Sequence, residues 1–588
     1  MDVRVFQERQ AERADPGAEA VVPAARRRFA DPGIAALTLL PLVLLALDSD
    51  WIFSGPHRDA WIYYGYFENG VAYLRRFQEA YYSSRPAVFL PGFLLHHLLP
   101  TLVANGVLHL GLYWAAVLSF YLVAKNLFGE RVALLAGLAL GCHPYFLQAI
   151  GWNHPDAFGI AYFLLALLFL TQAGVSRSWR FLLLAAGAMA TAIVSANVLY
   201  IIYLPLLAGH FFVLNRQRGR IPLLPATLWA ASGAAGLFLF FASLAWVVGG
   251  SFFYFRPSLT FISGSIGTPN IFRDPTYSWL PTGVWLVFPT VVLIGAAILL
   301  GRARTRALLR QDRVLLWSQI QFLILLSVML FLQVAGDSAV LQHFYYASLL
   351  IPAAFLAFAG QVATLVPGLP RQRFAVVAAA VALLQIVPPF VPLIDFLAYD
   401  VFPAPALLAL SAGLAVAAAV WLRVSGRRAI LAVFLGLAIS QLVVRQAGTI
   451  FRQFERHGGD GRGLYSQLTR AVRAIEAFDP SHDVRLWYDY DAEDGVVYDA
   501  VASAFLLCPR MINLGFPDLP DARMCDGAPL GPGVPIAILS ADPSAFEKAD
   551  AALRGVGLSA RLLGREVIPG PSRGFTITYL RSAAGAAP

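Results

Sequence analysis

Apolar stretches of roughly 17 to 25 residues recur from Ile34 to about Val444, each long enough to cross a hydrocarbon layer about 30 Å thick. Only helices and closed barrels satisfy every backbone polar group in lipid, and runs of this length are helical. That fixes the fold class before any motif is read: a polytopic α-helical membrane protein. Composition agrees, because 58% of the residues are hydrophobic and only 13% charged, about half the charged share of a soluble globular chain. The stretches read as about thirteen spans, near 34–48, 101–122, 132–150, 157–173, 180–196, 198–214, 223–249, 282–301, 314–335, 345–366, 374–391, 404–422 and 429–445.

The connections between these spans alternate in charge. One set carries Arg26–Arg28, Lys125 with Arg131, Arg177 with Arg180, Arg216 to Arg220, Arg302 to Arg313, Arg371 with Arg373, and Arg423 to Arg428. Most connections of the other set have no Lys or Arg, the exceptions being the long ones at 49–100 and 250–281. Positive charge marks the cytoplasmic side. The N-terminus is therefore expected in the cytoplasm and, after an odd number of spans, a C-terminal domain outside it. The formal net charge of +9 is explained by these loops and calls for no nucleic acid. In a bacterial cell the expected location is the inner membrane.

Residues 1–33 are polar, lack a signal-peptide core and read as a disordered cytoplasmic tail. Residues 34–451 form the transmembrane unit and 452–588 an extracytoplasmic α/β domain. In that domain Val484–Tyr490, Pro535–Leu539 and Phe575–Tyr579 read as strands, and Gly461–Phe478 and Ser544–Val556 as helices. Cys508 and Cys525 in an oxidising compartment point to a disulfide closing a short loop, against two unrelated thiols. Cys142, within a span, reads as packing. Asp489–Gly495 resembles a calcium loop, but its glycine falls one position late, and it reads as a solvated turn.

The long connection at 49–100 contains a helical, aromatic stretch from Ala60 to about Tyr82 that reads as lying flat in the membrane interface. Asp59 stands at its start. It is either a general base or a loop acid that pairs with Arg58 or caps the helix. Asp156, in Trp152-Asn-His-Pro-Asp156, opens a span, where it is held ionised by the helix terminus or acts as a cap. His154 lies two residues earlier, and with Asp59 and Asp156 it offers a set that could hold a divalent metal. Arg85 suits a bidentate grip on phosphate, against the alternative of a snorkelling interfacial arginine. His343 and Tyr345, in Gln342-His-Phe-Tyr-Tyr346, form a second polar cluster, and Tyr63 follows Asp59 on the aromatic stretch. No Gly-rich phosphate loop is present.

These residues resemble those of the GT-C superfamily of membrane glycosyltransferases that use polyprenyl-phosphate sugars. In particular they resemble its bacterial members grouped with protein mannosyltransferases and the aminoarabinose transferase. The resemblance rests on Asp59-Ala-Trp-Ile-Tyr-Tyr-Gly-Tyr, Tyr82-Ser-Ser-Arg85, Trp152-Asn-His-Pro-Asp156 and the run His343–Pro352, together with the span count, the long first loop and the C-terminal domain. The chain departs from it in having one acid at Asp59 where protein mannosyltransferases have an adjacent Asp-Glu pair. It also lacks the Trp-Trp-Asp signature of oligosaccharyltransferases.

The resemblance implies Asp59 and Asp156 as catalytic acids. It also implies Arg85, His343, Tyr63, Tyr345 and His154 around the donor phosphate, and a lipid, polysaccharide or protein acceptor. The partners so implied are a polyprenyl-phosphate sugar, that acceptor and membrane lipids. The alternatives are a transporter or flippase, and a non-catalytic scaffold of an envelope complex. The first is disfavoured by the lack of an internal repeat.

Overall fold

The computed structural model describes residues 31–365 and 461–585, interrupted at 48–49, 54–57, 79, 219–220, 266–286, 302–311, 335–343, 481–483, 489–499, 502–503, 506–529 and 571–573. The expected spans at 374–391, 404–422 and 429–445, His343, both Cys508 and Cys525, and the Asp489–Gly495 turn lie outside the described residues. So does much of the 250–281 connection.

The first half is helical: α1 (Pro32–Leu47), α2 (Arg58–Arg76), α3 (Pro86–Leu98), α4 (Thr101–Phe128), α5 (Glu130–Gly141), α6 (Pro144–Gly151) and α7 (Pro155–Ala173). They are followed by α8 (Trp179–Ala196), α9 (Tyr203–Arg218), α10 (Leu223–Val247), α11 (Arg256–Ser265), α12 (Val287–Gly301), α13 (Arg313–Val334) and α14 (Phe344–Leu365). Among the described residues six helices are long and apolar enough to cross a membrane, the stretch Val198–Arg218 being counted as one with its 3-10 start. A seventh is obtained if α5 and α6, bent by 64° from one another, are one broken span. The sequence reads 132–150 as a single span. Pro144, in the first turn of α6, accounts for the break: it has no backbone N–H to bond the preceding turn and suits a helix start.

Start and stop signals set most other boundaries. Pro86 and Pro155 sit in the first turns of α3 and α7, and Gly129, at φ 95°, ends α4 in a conformation that favours glycine. Helix α7 is central and α10 peripheral: 72% of the apolar stretch of α7 is buried inside the protein, against 17% for α10. The exposed Leu223, Leu224, Leu228, Phe240, Trp246 and Val247 of α10 are what a lipid-facing helix presents.

The second unit contains α15 (Gly461–Phe478), β1 (Arg485–Tyr488), β2 (Pro535–Ser540), α16 (Ala545–Gly555), β3 (Leu558–Ile568) and β4 (Phe575–Ala584). Its sheet runs β1-β2-β4-β3, with β1 parallel to β2 and the other two pairings antiparallel. Strand β3 is absent from the sequence reading. Its Leu-Ser-Ala-Arg-Leu-Leu-Gly-Arg-Glu pattern, broken by an irregularity between Leu562 and Gly564, lacks a clean alternation. Helix α15 buries Leu464, Tyr465, Leu468, Ala471, Val472 and Ile475, the three-and-four spacing of a helix with one covered face.

Helix α2 overturns the expectation that this aromatic stretch lies flat in the lipid interface. Its aromatic residues are buried in protein on two opposite sides. Tyr63, Tyr66, Phe67, Tyr73 and Leu74 belong to the core of the helical bundle, whereas Trp61 and Tyr64 belong to the core of the α/β unit. A sequence with large apolar rings on both faces can be covered by lipid or by a second domain; here a second domain does it. Helix α2 is the joint between the two cores.

Candidate active site

Asp59 lies in the first turn of α2, where the helix terminus favours a carboxylate. The Tyr82 hydroxyl, from the 3-10 turn Tyr81–Ser84, donates to its Oδ1 at 2.9 Å. Its Oδ2 lies 3.9 Å from His154 Nε2. His154 is the N-cap of α7, and its Nδ1 meets Asp156 Oδ2 at 2.9 Å. Asp156 also accepts a hydrogen bond from the Tyr200 hydroxyl. One imidazole thus bridges two carboxylates that the sequence places far apart.

The two connections are brought together by backbone contact. A Cβ on Gly151 would collide with the Trp51 carbonyl oxygen, so only glycine allows that approach. A polar network completes the clasp. His109 on α4 reaches the Ile150 carbonyl at 2.5 Å and Asn153 Oδ1 at 3.0 Å, and Asn105 donates to the Ile52 carbonyl at 2.7 Å.

The electrostatics assign a state to His154. Burial opposes its charge, but the neighbouring Asp156 and Asp59 outweigh it and lift its pKa to about 9. It is therefore an imidazolium at neutral pH and cannot serve as a base there. The two acids differ in access: the Asp59 side chain is 37% exposed and that of Asp156 only 5%.

Arg85 stands behind Tyr63. It donates to the Tyr63 hydroxyl, and its guanidinium lies 3.9 Å from the centre of the Tyr81 ring. It is buried, which excludes the snorkelling alternative, and its Nε has no hydrogen-bond partner. The Tyr63 ring meets His154 edge-on at 6.3 Å and Tyr82 at 5.6 Å, so Tyr63 joins the arginine to the acids. The segment after α10 closes over the same place through Ser84 with Ser258 and Tyr81 with Phe261.

Asp59, Tyr63, Arg85, His154 and Asp156 are thus assembled in one place. His343 is not among the described residues, and of Tyr345 only the backbone, in the first turn of α14, is described. Asp156 does not cap its helix: His154 holds that position, and Asp156 turns inward to two partners. The three residues considered for a metal do not fit one. His154 turns a different nitrogen to each carboxylate, and no group of three His, Cys, Asp or Glu among the described residues is set to hold an ion. Cys142 is a buried free thiol at the α5–α6 break. Sequence reading missed Tyr82 as a partner of Asp59, although it belongs to the quoted Tyr82-Ser-Ser-Arg85 run. It also missed Tyr200, which stands in an apolar run without any local signal.

Residues 107–246 match a family model described as dolichyl-phosphate-mannose-protein mannosyltransferase. The matched segment contains His154, Asp156 and Tyr200 but neither Asp59 nor Arg85. No curated protein sequence matches the chain. Among solved structures it is similar to ArnT from Cupriavidus metallidurans in the apo state, with a TM-score of 0.50, 14% identity, and coverage of 93% of this chain and 98% of that one. The same protein bound to undecaprenyl phosphate gives a TM-score of 0.48 at 15% identity, covering 94% and 98%. The oligosaccharyltransferase of Archaeoglobus fulgidus gives 0.39 at 15% identity, covering 80% and 63%. Residues 107–246 thus resemble a glycosyltransferase family, and the chain as a whole shares the fold of ArnT.

Proposed function

We propose that the enzyme is an inverting transferase that moves one sugar from a polyprenyl monophosphate to a hydroxyl of a lipid or polysaccharide acceptor, at the outer face of the membrane. The matching family is described by a sugar carried on dolichyl phosphate, which is a polyprenyl phosphate. The observation that carries the reading is the contrast between the two acids around a histidine that already holds its proton. Asp59 is accessible, whereas Asp156 is closed in by His154 and Tyr200.

In the reaction the Asp59 carboxylate takes the proton of the acceptor hydroxyl as its oxygen attacks the anomeric carbon. The bond from that carbon to the phosphate oxygen breaks on the opposite face, and the configuration inverts. Polyprenyl phosphate leaves with the bonding electrons. Arg85, with an Nε donor unused by the protein, holds the phosphate and stabilises the charge that grows on it. His154 pairs with Asp59 and fixes it, and Asp156 with Tyr200 fixes His154. The acceptor enters beside Ser258 and Phe261, next to Arg85, and the lipid tail lies among the spans.

Two experiments test this. Purified enzyme given a radiolabelled polyprenyl-phosphate sugar and envelope lipids should release polyprenyl phosphate and label an acceptor; no release from any such donor would refute the donor class. Alkaline phosphatase fused after Gly461 should be active in a bacterial host, and an inactive fusion would reverse the proposed orientation.

A further inference from the structure

The two acid-bearing segments are covered from outside the bundle by one side chain. Tyr465, on α15 of the α/β unit, is buried, and its ring packs against Trp61 at 5.2 Å, Tyr64 at 5.7 Å and Phe53 at 5.6 Å. Phe53 precedes Asp59 on the entering strand of chain, and Trp61 and Tyr64 follow it on α2. The Tyr465 hydroxyl lies beside the Asn153 side chain, immediately before His154. Tyr465 therefore packs on the segment bearing Asp59 and lies beside the turn bearing His154.

The rest of α15 and its neighbours hold α2 along its length. Asn69, where α2 departs from helical geometry at φ −123° and ψ 29°, donates to Glu476. Arg473 donates to Thr101, which in turn donates to Glu68 at 3.0 Å. The Tyr73 hydroxyl donates to the Ala504 carbonyl at 2.5 Å, and Gly65 leaves room for the same carbonyl. Helix α2 has no freedom to move independently of the α/β unit while these contacts stand.

We propose that Tyr465 is a positioning residue for transfer: its ring holds the start of α2 against the α/β unit, and so sets the contact of Asp59 with His154. The inference rests on the reading of Asp59 as the base, and it makes the α/β unit a structural part of the active site. Tyr465 itself does not reach substrate. Its effect falls on the chemical step, because a base displaced by about 1 Å costs on the order of a hundred-fold in rate while phosphate binding at Arg85 is untouched.

The test compares four variants of the full-length enzyme in lipid nanodiscs, each measured for kcat and donor KM on a radiolabelled polyprenyl-phosphate sugar and for thermal stability. Tyr465→Ala should lower kcat roughly ten- to fifty-fold with donor KM within about two-fold, and Tyr465→Phe, which keeps the ring, should stay within about two-fold of the parent. Leu553→Ala removes a buried side chain of α16, which packs on the sheet, and should lower stability while leaving kcat within about two-fold. Asp59→Asn reports on the underlying reading. Tyr465→Ala with the kcat of Leu553→Ala, or an equal fall in both, would overturn the positioning role while an inactive Asp59→Asn leaves the base intact. Near-normal turnover by Asp59→Asn would instead overturn the base, whatever the Tyr465 variants do. Where Tyr465→Ala does not fold, Tyr465→Leu takes its place: folded protein with full kcat refutes the proposal, and folded protein with lowered kcat and unchanged KM supports it.

Discussion

The segment bearing Asp59 and the turn bearing Asp156 face the same histidine, and they are built in opposite ways. The first starts an aromatic helix wedged between two cores and leaves its carboxylate partly open. The second is a tight turn before a central span, and its acid is shut in by His154 and the Tyr200 hydroxyl. A carboxylate whose hydrogen-bonding capacity is consumed by the protein serves the frame; one with an open side serves the substrate. Sequence cannot make that distinction, because both acids stand near helix starts and both have the local look of a cap.

The largest expected effect separates the two acids. Asp59→Asn keeps the shape and removes the charge, so kcat should fall by roughly two orders of magnitude or more with donor KM nearly unchanged. Asp156→Asn should lower kcat at least about ten-fold less than that, because it loosens His154 without removing the base. Equal losses in the two variants, measured by steady-state donor turnover, would erase the contrast. Next in size is Arg85→Ala. Loss of a charge-assisted contact to phosphate should raise donor KM roughly ten- to a hundred-fold, with a smaller change for Arg85→Lys. An unchanged KM would move the phosphate elsewhere.

The smallest effect concerns pH. His154 has a raised pKa in the folded protein, so its ion pairs contribute stability in full below the ordinary histidine value near 6.5, and that stability is lost as pH rises through about 9. Activity should fall over the same alkaline range. In Asp156→Asn the fall should begin at lower pH, since the carboxylate that most favours the proton is gone. A pH profile indifferent to Asp156 would show that His154 does not bridge the acids.

Much of the bundle was legible from apolar run length, because lipid leaves helices no alternative: the observed α4, α7, α8, α10 and α13 begin or end close to the expected spans. The break between α5 and α6 had its signal in Pro144, hidden inside a run that is apolar on both sides. The burial of α2 had no signal. Trp61, Tyr63, Tyr64, Tyr66 and Phe67 satisfy the pattern of an interfacial helix equally well, and only the position of α15 decides which solvent they see. The site was legible as a set of residue types, in Asp59, Arg85, His154 and Asp156. Its geometry was not, since the bridge depends on close approach at Gly151 and on Tyr82 and Tyr200, hydroxyls among many in an aromatic-rich chain.

The most direct measurement is chemical rescue. Asp59→Ala removes the base and leaves a space beside His154 that a small anion can occupy. In Asp59→Ala, added formate or azide should restore donor turnover in proportion to its concentration, with azide also captured as a glycosyl azide of inverted configuration. In Asp156→Ala neither anion should help. Rescue of Asp156→Ala with none of Asp59→Ala would contradict the assignment and make the buried acid the base.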